Sequence, residues 1–382
     1  MVGGLESHVH DLAIGLCRRG HEVIVATSTS AELTDDTIQV LGITHTLSKF
    51  GFMYSDPNRR FFPPWPDRTL RARLRDVVKR FGVEIIHSHG WVSFSAIVAG
   101  HGSTNSIPVV ATLHDYGFVC PKMSLLRRGG QTCLKRRADF GCLSCASESY
   151  GQLKSLIVTT ALRRYARVFK RANALVAVSH HVAQIAEESG LEGVKVIPPF
   201  IDLQIVRNEA RANAFKFGLV DVLYAGGNKP WKGRQIFVDA IRKIKDGGSL
   251  ITFEGGDPDK GGRSAFLPRE EYLGRLARSR ILVVPSISPE PFGLAAVEAM
   301  ALGRAVIVSN IGGLSEIVEN EHNGLLVSPG SADSLVQSML RLANDQELCD
   351  KLGQQASMDS DIRFGESNTL TPLEETYERL IQ

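Results

Sequence analysis

The stretch Ile281–Gly313, ILVVPSISPEPFGLAAVEAMALGRAVIVSNIGG, decides the fold of this chain. It contains an apolar strand, a loop with two prolines, a helix of small residues and a second apolar strand. Strands that are apolar on both faces and separated by a helix indicate a parallel sheet covered on both sides. We therefore predict a strand–helix–strand unit from a doubly wound α/β domain.

The same alternation extends over the whole chain of 382 residues. The predicted strands are 21–28, 84–90, 108–115 and 174–180 in the first half, and 221–227, 250–256, 281–287, 305–310 and 324–330 in the second. The predicted helices of the first half are 5–19, 68–81, 152–171 and 181–189. Two such sets predict two doubly wound, Rossmann-like domains that face each other across a cleft.

Two prolines within Lys195–Leu203 interrupt the pattern after a strand, which places the domain boundary there. We predict one domain over residues 1–199, with a Cys-rich basic insertion at 118–148. The second domain covers 200–370, and a C-terminal helix at 371–382 packs back towards the first.

Composition places the chain among ordinary globular proteins, with 43% hydrophobic and 22% charged residues. The sequence has no apolar run of membrane-spanning length and no signal peptide, so we expect a cytoplasmic protein. Residues 1–200 carry 24 lysines and arginines against 16 acidic residues. This basic half offers a peripheral contact with the inner face of the membrane, or simply a solvated surface. No nucleic-acid-binding motif is present, and we expect no nucleic-acid partner.

Two carboxylates, Glu290 and Glu298, flank the predicted start of a helix near Gly293. A helix start exposes unpaired N–H groups that suit a phosphate, and carboxylates near a phosphate are better used to accept hydrogen bonds from neutral hydroxyls. A nucleotide sugar combines both features. The alternative is that the two glutamates only complement the helix dipole.

Several motifs, in this order along the chain, resemble the retaining glycosyltransferases of family four, which have the two-domain GT-B fold. The motifs are VGGLESHVHDLAIGLCRRGHEVIVAT at 2–27, LHD at 113–115, AVSHHVA at 177–183, KPWKG at 229–233, the segment with both glutamates, and SNIGGLSEIVENEHNGLLVSPG at 309–330. The resemblance implies an acceptor-side N-terminal domain and a C-terminal domain that binds a nucleotide sugar.

The resemblance assigns three catalytic residues and one set of donor-binding residues. Glu290 matches the glutamate that contacts the transferred sugar, Lys232 the lysine that neutralises the leaving diphosphate, and His114 the histidine beside the sugar. Phe292, Gly293 and Leu294 match the turn and helix start that meet the diphosphate, and Glu298 the glutamate that binds the ribose. The remaining donor-binding positions are glycine turns and a nearby lysine: Gly3, Gly4, Gly226, Gly227 and Lys229.

The resemblance implies transfer of a sugar from a nucleoside-diphosphate sugar to an alcohol acceptor, lipid-linked acceptors included, with retention of anomeric configuration. We expect a retaining hexosyltransferase in glycan, glycolipid or cell-envelope polysaccharide synthesis. Same-face displacement, in which the departing phosphate oxygen takes the acceptor proton, requires no catalytic metal or other cofactor. The alternative is a catalytically impaired homologue that binds a nucleotide sugar or a partner.

Two departures from the family pattern motivate that alternative. Gly227 stands where the family usually has an arginine, and Lys229 or Arg234 is a candidate substitute. The strand that normally precedes the first glycine turn is also missing, and in a doubly wound sheet this strand lies near the middle. We therefore expect an N-terminal domain without its first strand, from a start assigned too late or a truncated form.

Four cysteines, Cys120, Cys133, Cys142 and Cys145, cluster in the basic insertion. The final pair has the C-x-x-C spacing that lets two thiolates reach one zinc ion. Clustered cysteines in a cytoplasmic protein favour a metal over disulfides. The sequence leaves three alternatives, a structural zinc ion, reduced thiols or a redox disulfide.

Overall fold

The computed structural model describes residues 4–27, 38–43, 62–101, 106–128, 130–226, 229–248, 251–254 and 267–382. It divides into two compact units. The C unit comprises residues 1–11, 129–132 and 199–369, and the N unit comprises 12–128, 133–198 and 370–382. In the described part of the chain no helix is both long and apolar enough to cross a membrane.

The start of the chain differs from the predicted division, because residues 4–11 belong to the C unit rather than to a domain of residues 1–199. The physical reason lies in their contacts. A ring nitrogen of His8 lies 3.1 Å from the carbonyl oxygen of Phe200. The α-carbon of Gly4 is so close to Leu294 that an added Cβ would lie 2.8 Å from its side chain.

The N unit contains two parallel sheets within the described residues. Its strands are β1 (Ile24–Thr27), β2 (Gln39–Gly42), β3 (Ile86–His89), β4 (Val109–Leu113), β5 (Ala174–Ala177) and β6 (Val194–Val196). Its helices are α2 (Arg68–Phe81), α3 (Ser93–Gly100), α4 (Cys142–Tyr150), α5 (Gln152–Tyr165) and α6 (His180–Glu188). Helix α1 (Gly4–Arg18) and helix α14 (Glu366–Ile381) each contribute residues to both units.

The strands of the N unit do not form one sheet among the described residues. Strands β1 and β2 pair with each other, and β3, β4, β5 and β6 form a separate sheet in that order. The interruption falls between β1 and β3, where the doubly wound topology places its first strand. The absence of this strand from the chain stays a prediction.

The C unit has one continuous parallel sheet of five strands in the order β11–β10–β9–β7–β8. The strands are β7 (Val220–Tyr224), β8 (Phe253–Glu254), β9 (Ser279–Val284), β10 (Ala305–Ser309) and β11 (Leu325–Val327). The helices are α7 (Leu203–Ala214), α8 (Arg234–Asp246), α9 (Arg269–Ala277), α10 (Leu294–Ala301), α11 (Leu314–Ile317), α12 (Ala332–Asn344) and α13 (Gln346–Phe364).

The strand order of the C unit defines where a ligand binds. From β7 the chain goes to β8 on one side of the sheet and then to β9 on the other. The order therefore reverses between β7 and β9, and ligands of such sheets bind outside the carboxyl ends of the strands at this switch point. All five β10 residues and five of the six β9 residues are buried, because helices cover both faces.

Short polar side chains begin five of the helices. Each accepts a hydrogen bond from the backbone N–H three residues later, which satisfies one of the unpaired donors of the first turn. The capping residues are Asp67, Ser179, Asp202, Ser331 and Asp345. Helix α10 begins differently, because its first position follows Gly293, which has no side chain to cap it.

Candidate functional site

The carboxyl ends of β7 and β9 bring Lys232 and Glu290 together. The ammonium of Lys232 donates to Oε1 of Glu290, and the hydroxyl of Ser286 donates to Oε2 of the same carboxylate at 3.1 Å. Lys232 is 30% exposed and Glu290 13%. The switch point of the C unit therefore holds a cation and an anion in direct contact, both within reach of solvent.

A tight turn after β7 fixes the position of Lys232. Residues Pro230–Lys232 form a single turn of 3-10 helix, and Gly233 ends it with a φ of 75°. A Cβ added to Gly233 would lie 1.8 Å from the carbonyl oxygen of Pro285, so only glycine fits between this turn and the end of β9. The backbone N–H of Ile287 also donates to the carbonyl of Trp231 at 2.9 Å.

Two glycines after β10 hold the backbone of Glu290. Its carbonyl accepts a hydrogen bond from the N–H of Gly313 at 2.7 Å, and Glu290 forms a parallel bridge with Gly312. A Cβ on Gly312 would lie 2.6 Å from the Glu290 carbonyl oxygen. The close approach of the two loops therefore requires the glycine pair.

Helix α10 starts directly after this loop. Gly293 has a φ of 133°, and an added Cβ would lie 2.6 Å from the side chain of Leu314. Phe292 is buried, and its ring packs edge-on against Phe364 with centroids 5.6 Å apart. Because Gly293 provides no side-chain cap and Leu294 is the first helical residue, the opening turn keeps the N–H groups that bind anions at helix starts.

Glu298 lies deeper on α10, in a buried cluster of charges around Arg269. Nη1 of Arg269 donates to Glu298 at 3.0 Å and Nε to Glu209 at 3.1 Å, while Nη2 lies 3.8 Å from Asp11. Burial raises the pKa of Glu298 to about 7, and the charge of Arg269 opposes this shift. The hydroxyl of Tyr272 is also buried here.

Arg269 was not among the sequence-predicted site residues. It opens α9, where its charge pattern is that of an ordinary surface helix, so only the fold reveals its position beside Glu298. In the structure the Glu298 carboxylate is bound to this arginine, whereas Glu290 is bound to Lys232. The predicted ribose-binding role of Glu298 stays a prediction.

In the N unit, His114 follows β4 and pairs with His89 at the end of β3. Nε2 of His114 and Nδ1 of His89 are 2.7 Å apart, so one ring donates a hydrogen bond to the other. The ring of His89 lies 4.2 Å from that of His87, centroid to centroid. His87 hydrogen-bonds to the hydroxyl of Thr112 at 2.6 Å and to that of Tyr377 at 2.6 Å.

The sequence motif HSH at 87–89 marked the end of a strand, but no role was predicted for its histidines. The sequence places His89 and His114 at the ends of predicted strands, but only the observed sheet shows that β3 and β4 are neighbours whose carboxyl ends meet at one edge. His89 and Thr112 are register partners, which leaves His114 just beyond the strand pair.

The other predicted donor-binding residues fall at three places. Gly226 follows β7, where an added Cβ would lie 2.2 Å from the Tyr224 hydroxyl. The ammonium of Lys229 lies 5.5 Å from the ring centroid of Trp231. Gly4 begins α1 beside Leu294. Gly3 and Gly227 lie outside the described residues, so the prediction that Lys229 or Arg234 replaces a missing arginine stays open.

The chain matches two models of known protein families. Residues 2–205 match Glycosyltransferase Family 4, and residues 264–358 match glycosyl transferases group 1. The chain belongs to glycosyltransferase family 4. The enzyme is 35% identical over 372 residues to an uncharacterised glycosyltransferase of Methanocaldococcus jannaschii, a match that covers 90% of this chain and 86% of the relative.

Other relatives of this glycosyltransferase have named activities. A D-inositol 3-phosphate glycosyltransferase of an Arthrobacter strain is 29% identical over 336 residues, which is 80% of this chain and 72% of the relative.

Two solved structures show the same fold as this glycosyltransferase. Sucrose-phosphate synthase of Thermosynechococcus elongatus superposes with a TM-score of 0.69 at 19% identity, over 99% of this chain and 94% of that one. Anabaena HepE in complex with UDP-glucose superposes with a TM-score of 0.63 at 18% identity, over 100% and 96%. The fold is GT-B, with parallel sheets in two Rossmann-like domains.

Proposed function

We propose that this glycosyltransferase transfers a sugar from a nucleoside-diphosphate sugar to an alcohol acceptor, with retention of anomeric configuration. One observation carries the proposal: Lys232 and Glu290 meet at the switch point of the C unit, beside the start of α10. A donor of this class needs a cation and N–H groups for its diphosphate and an acceptor for its sugar hydroxyls. Lys232 supplies the cation and is in direct contact with Glu290, the hydrogen-bond acceptor. The N–H groups at the start of α10 follow Glu290 closely in the sequence.

Each residue then has a defined task in the proposed reaction. Negative charge develops on the diphosphate as the glycosidic bond breaks, and the Lys232 ammonium stabilises it. The N–H groups at the start of α10 add to this stabilisation. Glu290 accepts hydrogen bonds from hydroxyls of the transferred sugar, and Ser286 holds the second carboxylate oxygen in place.

Retention follows in this proposal from attack on the same face as the leaving group. The departing phosphate oxygen takes the proton of the acceptor hydroxyl, and the acceptor oxygen forms the new bond to the anomeric carbon. His114, held by His89, is the proposed neighbour of the transferred sugar. The proposed role is the synthesis of glycans, glycolipids or polysaccharides, and a relative named glycogen synthase, from Mycobacterium tuberculosis, supports the last of these.

A second candidate, binding of a nucleotide sugar without efficient turnover, rests on Gly227, which stands where the family usually has an arginine. If one of two cations for the diphosphate is missing, the transition state loses more than the ground state does. This candidate predicts normal donor binding with slow release of nucleoside diphosphate.

Donor binding is tested first, by thermal unfolding of the purified chain with UDP-, GDP- and ADP-sugars. A ligand that binds the native state at 100 times its Kd stabilises by about 2.7 kcal/mol, so a true donor raises Tm by several degrees. The donor that binds is then incubated with alcohol acceptors, and NMR gives the anomeric configuration of the product. Binding without product supports the second candidate, inversion contradicts the proposed mechanism, and no shift with any donor contradicts the proposal.

A further inference from the structure

The segment between Cys120 and Cys145 in the N unit contains an unusual turn. Met123 has a φ of 59° and Leu125 a φ of 50°. These are two of only three non-glycine residues with positive φ in the described part of the chain. For residues with a Cβ this conformation costs roughly 1 kcal/mol each, and it persists only where the surroundings require it.

The strained turn wraps backbone donors around one sulfur. The backbone N–H groups of Leu125, Lys122 and Ser124 donate hydrogen bonds to the sulfur of Cys120. The turn is closed by a hydrogen bond of 3.0 Å from the N–H of Met123 to the Cys120 carbonyl. In metal sites, hydrogen bonds of this kind form the outer shell that orients a ligand atom.

The same turn contacts two of the other three cysteines. The N–H of Cys133 donates to the carbonyl of Leu125 at 2.5 Å, which joins Cys133 to the turn that follows Cys120. The sulfur of Cys145 lies 3.7 Å from the carbonyl oxygen of Leu126. Cys142 opens α4 one turn before Cys145, so both thiols lie in the first turn of that helix.

We propose that Cys120, Cys133, Cys142 and Cys145 bind a structural zinc ion. The donor set fits zinc, which is held by four thiolates in structural sites, often with one C-x-x-C pair. All four cysteines are partly exposed, whereas Cys349, a core residue, is buried. Partial exposure gives the ion access to the sulfurs.

Metal binding must draw the sulfurs together. Within the described residues no three of the four sulfurs lie within 4.8 Å of one another, and in a tetrahedral site with Zn–S bonds of about 2.3 Å they come to about 4 Å.

The charge of the segment suits the bound state. A zinc ion with four thiolates carries a net charge of −2. Residues 120–145 contain six lysines and arginines and one acidic residue, Asp139, which accepts a hydrogen bond of 2.7 Å from Lys135. The basic insertion therefore offsets the charge that zinc binding creates.

Zinc content tests the proposal independently of sugar transfer. The full chain, expressed with zinc in the medium and purified without chelator, is analysed by elemental mass spectrometry. We expect about one zinc ion per chain, released by a mercurial that blocks thiols. Cys142→Ser and Cys145→Ser should each lose most of it, whereas Cys17→Ser, which changes a cysteine outside the segment, should retain it.

Two measurements keep the test decisive if a variant fails to fold. Cobalt added to the metal-free wild-type chain should give an intense thiolate-to-cobalt charge-transfer band, and zinc should raise its Tm. Mass spectrometry without reductant identifies any disulfide. The proposal is overturned if the folded wild type contains no zinc and gains no stability from it, if disulfides join these four cysteines, or if both serine variants keep their zinc.

Discussion

The two units of this glycosyltransferase differ in the continuity of their sheets. The C unit has five strands in one parallel sheet, and its β10 is buried along its whole length. Among the described residues of the N unit, β1 and β2 pair only with each other, and all four residues of β1 are only partly buried. Both units nevertheless place polar side chains at strand ends. Two neighbouring strands are therefore enough to bring polar side chains together at the carboxyl edge of a sheet. The stability of each strand depends on how much of the sheet surrounds it.

Hydrogen exchange measures the local stability of the two sheets directly. We expect the difference between their exchange rates to be the largest of the predicted effects. The residues of β1 are only partly buried and two of the four in β2 are exposed, whereas β9 and β10 are almost fully buried, and burial slows the local opening that exchange requires. We expect exchange in the β1–β2 pair to be faster by about two orders of magnitude or more. Equal protection of the two strand pairs would show that the interrupted sheet is as stable as the continuous one.

Removal of the Lys232 ammonium should nearly abolish turnover. Lys232→Ala takes away the charge proposed to stabilise the leaving diphosphate, so kcat should fall by about 10²- to 10³-fold. The matched control is Lys243→Ala, because this lysine of α8 pairs with Asp333 on the surface. The control should keep its kcat, and a similar loss in both variants would contradict a specific role for Lys232.

A single methyl group should break the turn that carries Lys232. Gly233→Ala combines a positive φ with a contact of 1.8 Å to Pro285, whereas Gly330→Ala has a φ of 77° and open space around it. Urea denaturation should show a loss of about 1 kcal/mol for Gly330→Ala, the cost of the backbone conformation alone. The loss for Gly233→Ala should exceed about 3 kcal/mol, since the added carbon displaces backbone. Equal losses would mean that the turn has room to move.

The histidine pair gives the corresponding test in the N unit. His89→Ala leaves His114 without the hydrogen bond that orients its ring, so kcat should fall about tenfold with little change in KM for the donor. His89→Asn keeps a donor and an acceptor and should recover part of the loss. His101→Ala changes a histidine whose ring bonds to the carbonyl of Ile97, and it should leave kcat unchanged. A loss that appears only in KM would assign His89 to binding.

The smallest predicted effect is a pH dependence of stability. Burial raises the pKa of Glu298 from 4.5 to about 7, so the folded chain binds more protons than the unfolded chain between these values. The free energy of unfolding therefore falls as pH rises through this window. Glu298→Gln cannot titrate, and its Tm relative to wild type should rise between about pH 5 and pH 8. Glu209→Gln loses a more exposed partner of Arg269 and should show a flatter trend.

The sequence predicted most of the fold because buried parallel strands have a strong pattern. All five strands of the C unit lie within or overlap predicted runs, as do β1, β3, β4 and β5. Strand β2 (Gln39–Gly42) was not predicted, because four residues with two exposed positions have no apolar run. Helix α3 was also missed, since its uniformly small and apolar residues lack a polar face.

The site was predictable where a motif lies within one stretch of chain. Lys232 lies in the segment that follows β7, and Glu290 and Gly293 lie in the loop that follows β9, beyond the carboxyl ends of those strands. The partners that set their chemistry come from elsewhere in the sequence. Ser286 and Arg269 carry no local signal, and the contact between His89 and His114 depends on strand order, which spacing does not reveal.

The glycine pair Gly312–Gly313 has a consequence for the evolution of substrate choice. It holds Glu290 by backbone atoms alone, so the loop keeps its path whatever side chain position 290 carries. Under the proposed function, a change at this position can then alter which sugar hydroxyls are recognised while the backbone contacts with Gly312 and Gly313 remain. The backbone contacts hold the loop, and the side chain at position 290 sets the proposed sugar specificity. Position 290 is therefore a target for engineering towards new sugars.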